Sequence, residues 1–255
     1  MIISATGLLK PWATGTFRHD RCRVSPHPVD LKDPEVNIAH LRRPSLLPVR
    51  KVEREVQHLG LGFKRKASLP STPLPATLQE WLQTPASAPA TELLRDLRDE
   101  GVRAQLLQDI FATARTLRSD LGFESVGIKL QVVSQTSCPK YHADHVGVRA
   151  LVTYCGPGTW FITNRYATRE WHWFDADVSV SRVDPSKAVQ AAAGDVLFLK
   201  GHTYDGGANF GMGAVHRSPD IEEDGSPRLL LVVEDQDFAQ HDHDAAVCSC
   251  AHAHS

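Results

Sequence analysis

The chain reads as an α+β protein, with a helical N-terminal part followed by an all-β body of jelly-roll or related barrel type. Three observations predict this. Apolar residues recur at helical spacing between residues 49 and 121. After Gly122 the period changes to two, with Val126, Ile128, Leu130 and Val132 on one face and Gly127, Lys129 and Gln131 on the other. Short apolar runs then follow one another to the end of the body, separated by Gly, Pro and Asp.

Taken in order, residues 1–35 are rich in Pro, His, Arg and Asp without an apolar period, and are expected to be a loosely ordered leader. Val36 to Leu41 is a short strand candidate that Pro44 stops. In VRKVEREVQHLG, Val49, Val52, Val56 and Leu59 form a helical stripe that Gly60 ends. Residues 67–76, ASLPSTPLPA, read as a linker. Thr77 caps a short helix, LQEWLQ, bounded by Pro85. From Thr91 comes the strongest helical region, which Gly101 is expected to split. The strand candidates after Val126 are Val148–Tyr154, Thr159–Thr163, Val178–Val183, Val196–Leu199, Ala214–His216 and Leu229–Glu234. The expected organisation is a leader (1–35), a helical part (36–122), a jelly-roll body (123–238) and a disordered tail (239–255).

Composition narrows the function classes. With 255 residues, 42% hydrophobic and 23% charged, there is enough apolar material for a sizeable core. A net charge of −2 supplies no global field for nucleic acid or a membrane surface. Residues 1–66 hold 13 Lys/Arg against 6 Asp/Glu, a bias expected to pack against the more acidic remainder. No apolar stretch is long enough to span a bilayer, and MIISATGLLKPW does not have the layout of a secretory signal. Five scattered cysteines do not form a disulfide framework. The expectation is a cytoplasmic protein with reduced thiols.

The chain's centre of interest is Cys138 to Trp160, CPKYHADHVGVRALVTYCGPGTW. In extended backbone, residues two apart point to the same side, so His142 and Asp144 can converge on one ion while the small Ala143 faces away. His-x-Asp alone is a weak signal. A distal His216, in AVHRSP, and Arg228, twelve residues further at the head of RLLLVVE, strengthen it. Two imidazoles and one carboxylate suit a divalent ion and leave coordination positions open. Arg228 would open a strand returning beside the one that bears His216. Lys200, ending VLFLK, is a second cation candidate. Arg149 has two readings, one holding a substrate anion and one, slightly favoured, pairing a buried carboxylate such as Asp195. His145, beside the pair, is a supporting or exposed residue, and Tyr154 belongs with Arg149 and His145 as a substrate or supporting contact. His202 is a rival third ligand, but no Arg follows it at a matching distance. Cys138 and Cys155 lack a CxxC context and read as small hydrophobes.

The order His-x-Asp, His, then Arg resembles the Fe(II)/2-oxoglutarate-dependent dioxygenase superfamily. That resemblance implies a double-stranded β-helix with Fe(II) on His142, Asp144 and His216, and 2-oxoglutarate held by Arg228. More narrowly, YHADHVGVRALVTYCGPGTW, GDVLFLKG and HRSP with RLLL resemble an uncharacterised bacterial family, domain of unknown function 1826, from about Val36 to Phe238. Its members are often encoded beside zinc-homeostasis GTPases, which implies a second function class: a Zn(II)-binding protein without turnover, with such a GTPase as partner. The tail, HDHDAAVCSCAHAHS, offers His241, His243, Cys248, Cys250, His252 and His254, a set suited to buffering Zn(II) or Cu(I). The substrate, small molecule or protein, is not legible, and no nucleic-acid or membrane partner is expected.

Overall fold

The computed structural model describes residues 15–17, 23–44, 47–172, 177–221 and 225–235. The tail residues from His241 to His254 lie outside them.

Among the described residues, thirteen strands form three sheets. They are β1 (Gly15–Phe17), β2 (Arg23–Ser25), β3 (Val36–Leu41), β4 (Lys64–Leu69), β5 (Val126–Val133), β6 (Val148–Cys155), β7 (Trp160–Ile162), β8 (Ala167–His172), β9 (Asp177–Val183), β10 (Val189–Gln190), β11 (Val196–Lys200), β12 (Val215–Arg217) and β13 (Arg228–Glu234). Seven of them make the major sheet, in the order β2-β3-β11-β6-β13-β5-β4. A minor sheet, β10-β7-β12, is extended by His142, which bridges antiparallel to His216. From β5 onward, the chain alternates between the two: β5 major, His142 minor, β6 major, β7 and β10 minor, β11 major, β12 minor, β13 major. This alternation, with all the pairs antiparallel, is a jelly roll.

Parity decides which residues line the space between the sheets. On β6, Val148, Ala150, Val152 and Tyr154 join the outer core, while Leu151 packs between the sheets with Leu197, Leu199, Leu230, Val232 and Phe161. The minor sheet's outer face is covered by the β1-β8-β9 sheet through Ile162, Ala167, Val215 and Val180.

The outer face of the major sheet carries the helices α1 (Val49–Leu59), α2 (Leu78–Leu82), α3 (Ala88–Leu93) and α4 (Glu100–Arg115). Their stripes follow the spacing: Val52 and Val56 of α1, Trp81 of α2, and Leu106 and Ile110 of α4 are all buried in one cluster with the sheet. Thr77 caps α2 in a full capping box.

The N-terminal part is not a helical layer by itself. β2, β3 and β4 complete the major sheet, and the 3-10 turn Pro28–Lys32, inside the expected leader, buries Leu31 completely. β4 covers the start of the expected linker: its Leu69 and Ala67 meet the helix-side core, while Lys64 and Lys66 share the opposite face with Gln131 and Lys129. The break before α4 falls at Asp99 rather than Gly101. The Asp99 carboxylate caps Val102 N–H, and the buried Glu55 carboxylate accepts from Arg98 and Asp99 N–H at 2.9 and 2.8 Å.

Candidate metal centre

His142 and His216 stand directly opposite each other on neighbouring strands and exchange both backbone hydrogen bonds, each 2.9 Å. Side chains at such a pair lie on the same face, so the two rings sit 4.4 Å apart, centroid to centroid, facing the major sheet's inner side. Asp144 follows after Ala143, which is packed close to Gly213. Asp144 Oδ1 lies 3.5 Å from His142 Nε2, and Oδ2 lies 3.2 Å from His216 Nε2. One ligand atom from each residue lies within 4.8 Å of the others, the one such grouping among the described residues.

The tautomers favour metal binding. His142 Nδ1 is 3.0 Å from the Lys140 carbonyl and His216 Nδ1 is 3.1 Å from that of Ala214. A carbonyl only accepts, so in the neutral rings each Nδ1 carries the hydrogen and each Nε2 presents its lone pair toward Asp144. Burial opposes the Asp144 charge, but the Arg149 guanidinium, and the two histidines when their rings are protonated, outweigh it and hold the carboxyl well below its ordinary range.

Asp144 is fixed through its backbone. His202 N–H donates to its carbonyl at 2.8 Å, and Gly201 and Thr203 N–H bond Gly147 and Val146. On the other side, Asp235 accepts from Gly147 and Val148 N–H. A Cβ at Gly201 would stand 2.0 Å from the Val146 carbonyl oxygen and 2.7 Å from that of Asp144. Both obstacles are backbone, so Gly201→Ala should displace the Asp144 loop. We expect at least a tenfold loss of divalent-metal affinity in a chelator-competition titration, comparable to losing a supporting contact, which costs roughly 10- to 100-fold.

The centre opens into a cavity of about 490 Å³ lined by His142, His216, Arg149, Arg228, Thr159 and Lys129, among others. Arg149 binds two carboxylates: Nη1 is 2.7 Å from Asp144 Oδ2 and Nε is 2.5 Å from Glu234 Oε2. Asp195 is not its partner, because Asp195 lies 2.7 Å from His40 Nε2 and accepts from Arg43 N–H. Arg228 is reached differently from expectation. Its strand does not pair with β12; it belongs to the major sheet between β5 and β6, and meets the metal ligands across the cavity. Its Nη2 donates to Thr153 and Thr159 Oγ1 at 2.9 and 3.2 Å. Its Nε has no hydrogen-bond partner, and no carboxylate among the described residues pairs with it, although the residue is 1% exposed. Burial pushes its pKa down to about 10. Next to it, β6 and β13 shift register between Leu229 and Leu230, a local irregularity of the kind often found beside active sites.

Three of the residues read from the sequence as site candidates stand elsewhere. Lys200 shares the parity of Phe198 and points to the helix side, where Nζ donates to the Asp33 carbonyl at 2.9 Å and lies over the Tyr204 ring. Tyr154, on that same face, donates to Asp109 at 2.7 Å. His145 packs against His202 and Phe210, with ring centroids 4.8 and 6.0 Å away. His202 Nδ1 accepts from Gly211 N–H and takes no part in the ligand set. Cys138 lines the cavity with its thiol pKa raised by burial, and Cys155 is buried beside the Pro227 carbonyl. Residues that the sequence did not single out are Thr153, Thr159, Glu234, Asp235 and Gly201. Glu234 was within reach of a parity argument, since it shares its face with Arg228 along β13.

A family model described as a protein of unknown function, DUF1826, matches residues 28–234. The chain belongs to this family. No curated protein matches it. Among solved structures, the DUF1826 chain is similar to the rice dioxygenase for auxin oxidation, with 12% identity, a TM-score of 0.38 and 81% of this chain aligned to 76% of that one. It is also similar to a Pseudomonas putida prolyl-4-hydroxylase, with 13% identity, a TM-score of 0.33 and coverage of 81% and 95%. A third is the dioxygenase for auxin oxidation 1 from Arabidopsis thaliana in its complex with 2-oxoglutarate, with 12% identity, a TM-score of 0.36 and coverage of 77% and 73%. The jelly-roll assignment rests on the strand order rather than on these likenesses. Among the described residues, no helix is long and apolar enough to cross a membrane.

Proposed function

We propose that this protein is an Fe(II)/2-oxoglutarate-dependent oxygenase. His142 Nε2, His216 Nε2 and an Asp144 oxygen would hold the iron, and Arg228 would hold the distal carboxylate of 2-oxoglutarate. When bound, the metal supplies redox chemistry and the coordination positions for cosubstrate and oxygen. The residues present suit that group: two imidazoles with Nδ1 tied to carbonyls, and one part-buried carboxylate kept ionised.

The observation that carries the reading is Arg228. A guanidinium this buried without a carboxylate partner is costly, and its fork matches a carboxylate bidentately. Thr153 and Thr159 accept from Arg228, so each hydroxyl keeps its own hydrogen to donate to the same anion. Zinc accepts the same three ligands, but a zinc receptor has no use for this cation, and that separates the two readings. Arg228→Gln should weaken 2-oxoglutarate binding to the metal-loaded protein by roughly 10- to 150-fold, the value of a hydrogen bond to a charged group. Calorimetric titration without oxygen measures it. An unchanged affinity in the variant would remove Arg228 from the cosubstrate site.

A further inference from the structure

The cavity wall carries one more cation. Lys129, in the middle of β5, faces inward, opposite Val232 of β13 on one side and Lys66 of β4 on the other. It lines the cavity together with both histidine ligands, Arg149 and Arg228. No ion pair or hydrogen bond joins its ammonium to another described residue, because the nearby Glu234 is taken by Arg149. Burial, and the neighbouring charges of Arg149, Lys64 and Lys66, lower its pKa, with only Glu234 acting the other way. Like charges directly opposite on neighbouring strands are unfavourable, yet Lys66 and Lys129 occupy such a pair.

The charges around the cavity have distinct partners. Arg149 is matched by Asp144 and Glu234. Arg228 faces the cosubstrate's distal carboxylate in the reading above. Lys129 is matched by neither, and Gln131 and Gln135 line the same wall as neutral hydrogen-bonding groups. A single ammonium beside amides suits one negative charge. A phosphate monoester carries nearly two at neutral pH.

We propose that Lys129 is the residue that recognises the substrate, and that the substrate is a small carboxylic acid whose carboxylate meets this ammonium inside the cavity. This rests on the assignment of Arg228, not Lys129, to 2-oxoglutarate.

Binding to the full chain, loaded with metal and saturated with 2-oxoglutarate without oxygen, tests it by calorimetry. The probes are hexanoate, benzoate and 3-phenylpropionate, their primary amides, and phenyl phosphate. At least one acid should bind roughly tenfold or more tightly than its amide, the value of a charge-assisted hydrogen bond. Lys129→Gln should erase that preference while 2-oxoglutarate affinity stays within about twofold, and Lys129→Arg should keep both. The proposal is overturned if no acid is preferred to its amide, if phenyl phosphate binds best, or if Lys129→Gln weakens 2-oxoglutarate as much as Arg228→Gln does. Wild-type protein that takes no 2-oxoglutarate, yet prefers an acid through Lys129, would overturn the cosubstrate reading and support the subsite.

Discussion

His216→Ala should abolish tight divalent-metal binding by the jelly-roll body while leaving the fold in place. The ring supplies one of three ligand atoms grouped within 4.8 Å, and among the described residues no other such grouping exists to replace it. The loss should exceed the roughly 10- to 100-fold that follows removal of a mere supporting contact around a metal. Folding should survive, because what ties His216 to His142 across the minor sheet is backbone, and alanine keeps both bonds. The measurement is chelator-competition titration of the full chain and of a chain ending at Phe238, so that tail histidines and cysteines are counted separately. Unchanged affinity in the shorter chain would contradict the ligand assignment.

Arg149→Met is expected to be the most destabilising substitution in the cavity wall. Arg149 bridges Asp144 and Glu234, and Glu234 is 2% exposed. In the native protein, burial works against the guanidinium's charge, but the two carboxylates outweigh it and raise its pKa. Without it, the buried Glu234 carboxylate and the part-buried Asp144 carboxylate both lose the cation that bridges them. Breaking a buried pair by removing one partner costs roughly 3–5 kcal/mol. Urea unfolding of chelator-treated protein reads the loss. Adding a divalent metal should restore part of it, because the ion neutralises Asp144. Arg149→Lys should recover only a fraction, since an ammonium cannot reproduce a guanidinium fork toward two acids. A loss below about 1 kcal/mol, the range of an exposed pair, would show that the bridge does not hold the wall together.

The body's strands were legible because one face of each is apolar. β5 shows it best: Val126, Ile128, Leu130 and Val132 all enter the helix-side core, as their alternation predicts. β4 was not legible, since KRKASL carries little apolar signal, and its strand conformation comes from pairing with β5 at the sheet edge. The coarser picture of helices first and strands second holds only in part, for a related reason. A sheet recruits N-terminal strands from far along the chain, and β3 pairs with β11.

Within the site, local spacing carried further than strand adjacency. His142 and Asp144 converge with His216. The placing of Arg228 beside the His216 strand did not hold, because consecutive strands in a jelly roll cross between sheets. Lys200 was misplaced because VLFLK is apolar on both faces, so the run does not show which parity faces the cavity. Only its pairing with β6, which sets Lys200 opposite Val148 and Leu199 opposite Arg149, decides that.

The most direct test of the central claim is visible absorption of the full chain loaded with Fe(II), without oxygen, before and after adding 2-oxoglutarate. A metal held by His142, Asp144 and His216 with Arg228 across the cavity predicts a new charge-transfer band that saturates at one equivalent per chain. The band should be absent in His216→Ala and should need a higher 2-oxoglutarate concentration in Arg228→Gln. An iron-loaded wild-type protein that gives no band and shows no 2-oxoglutarate affinity would contradict the claim and leave the zinc-receptor reading ahead.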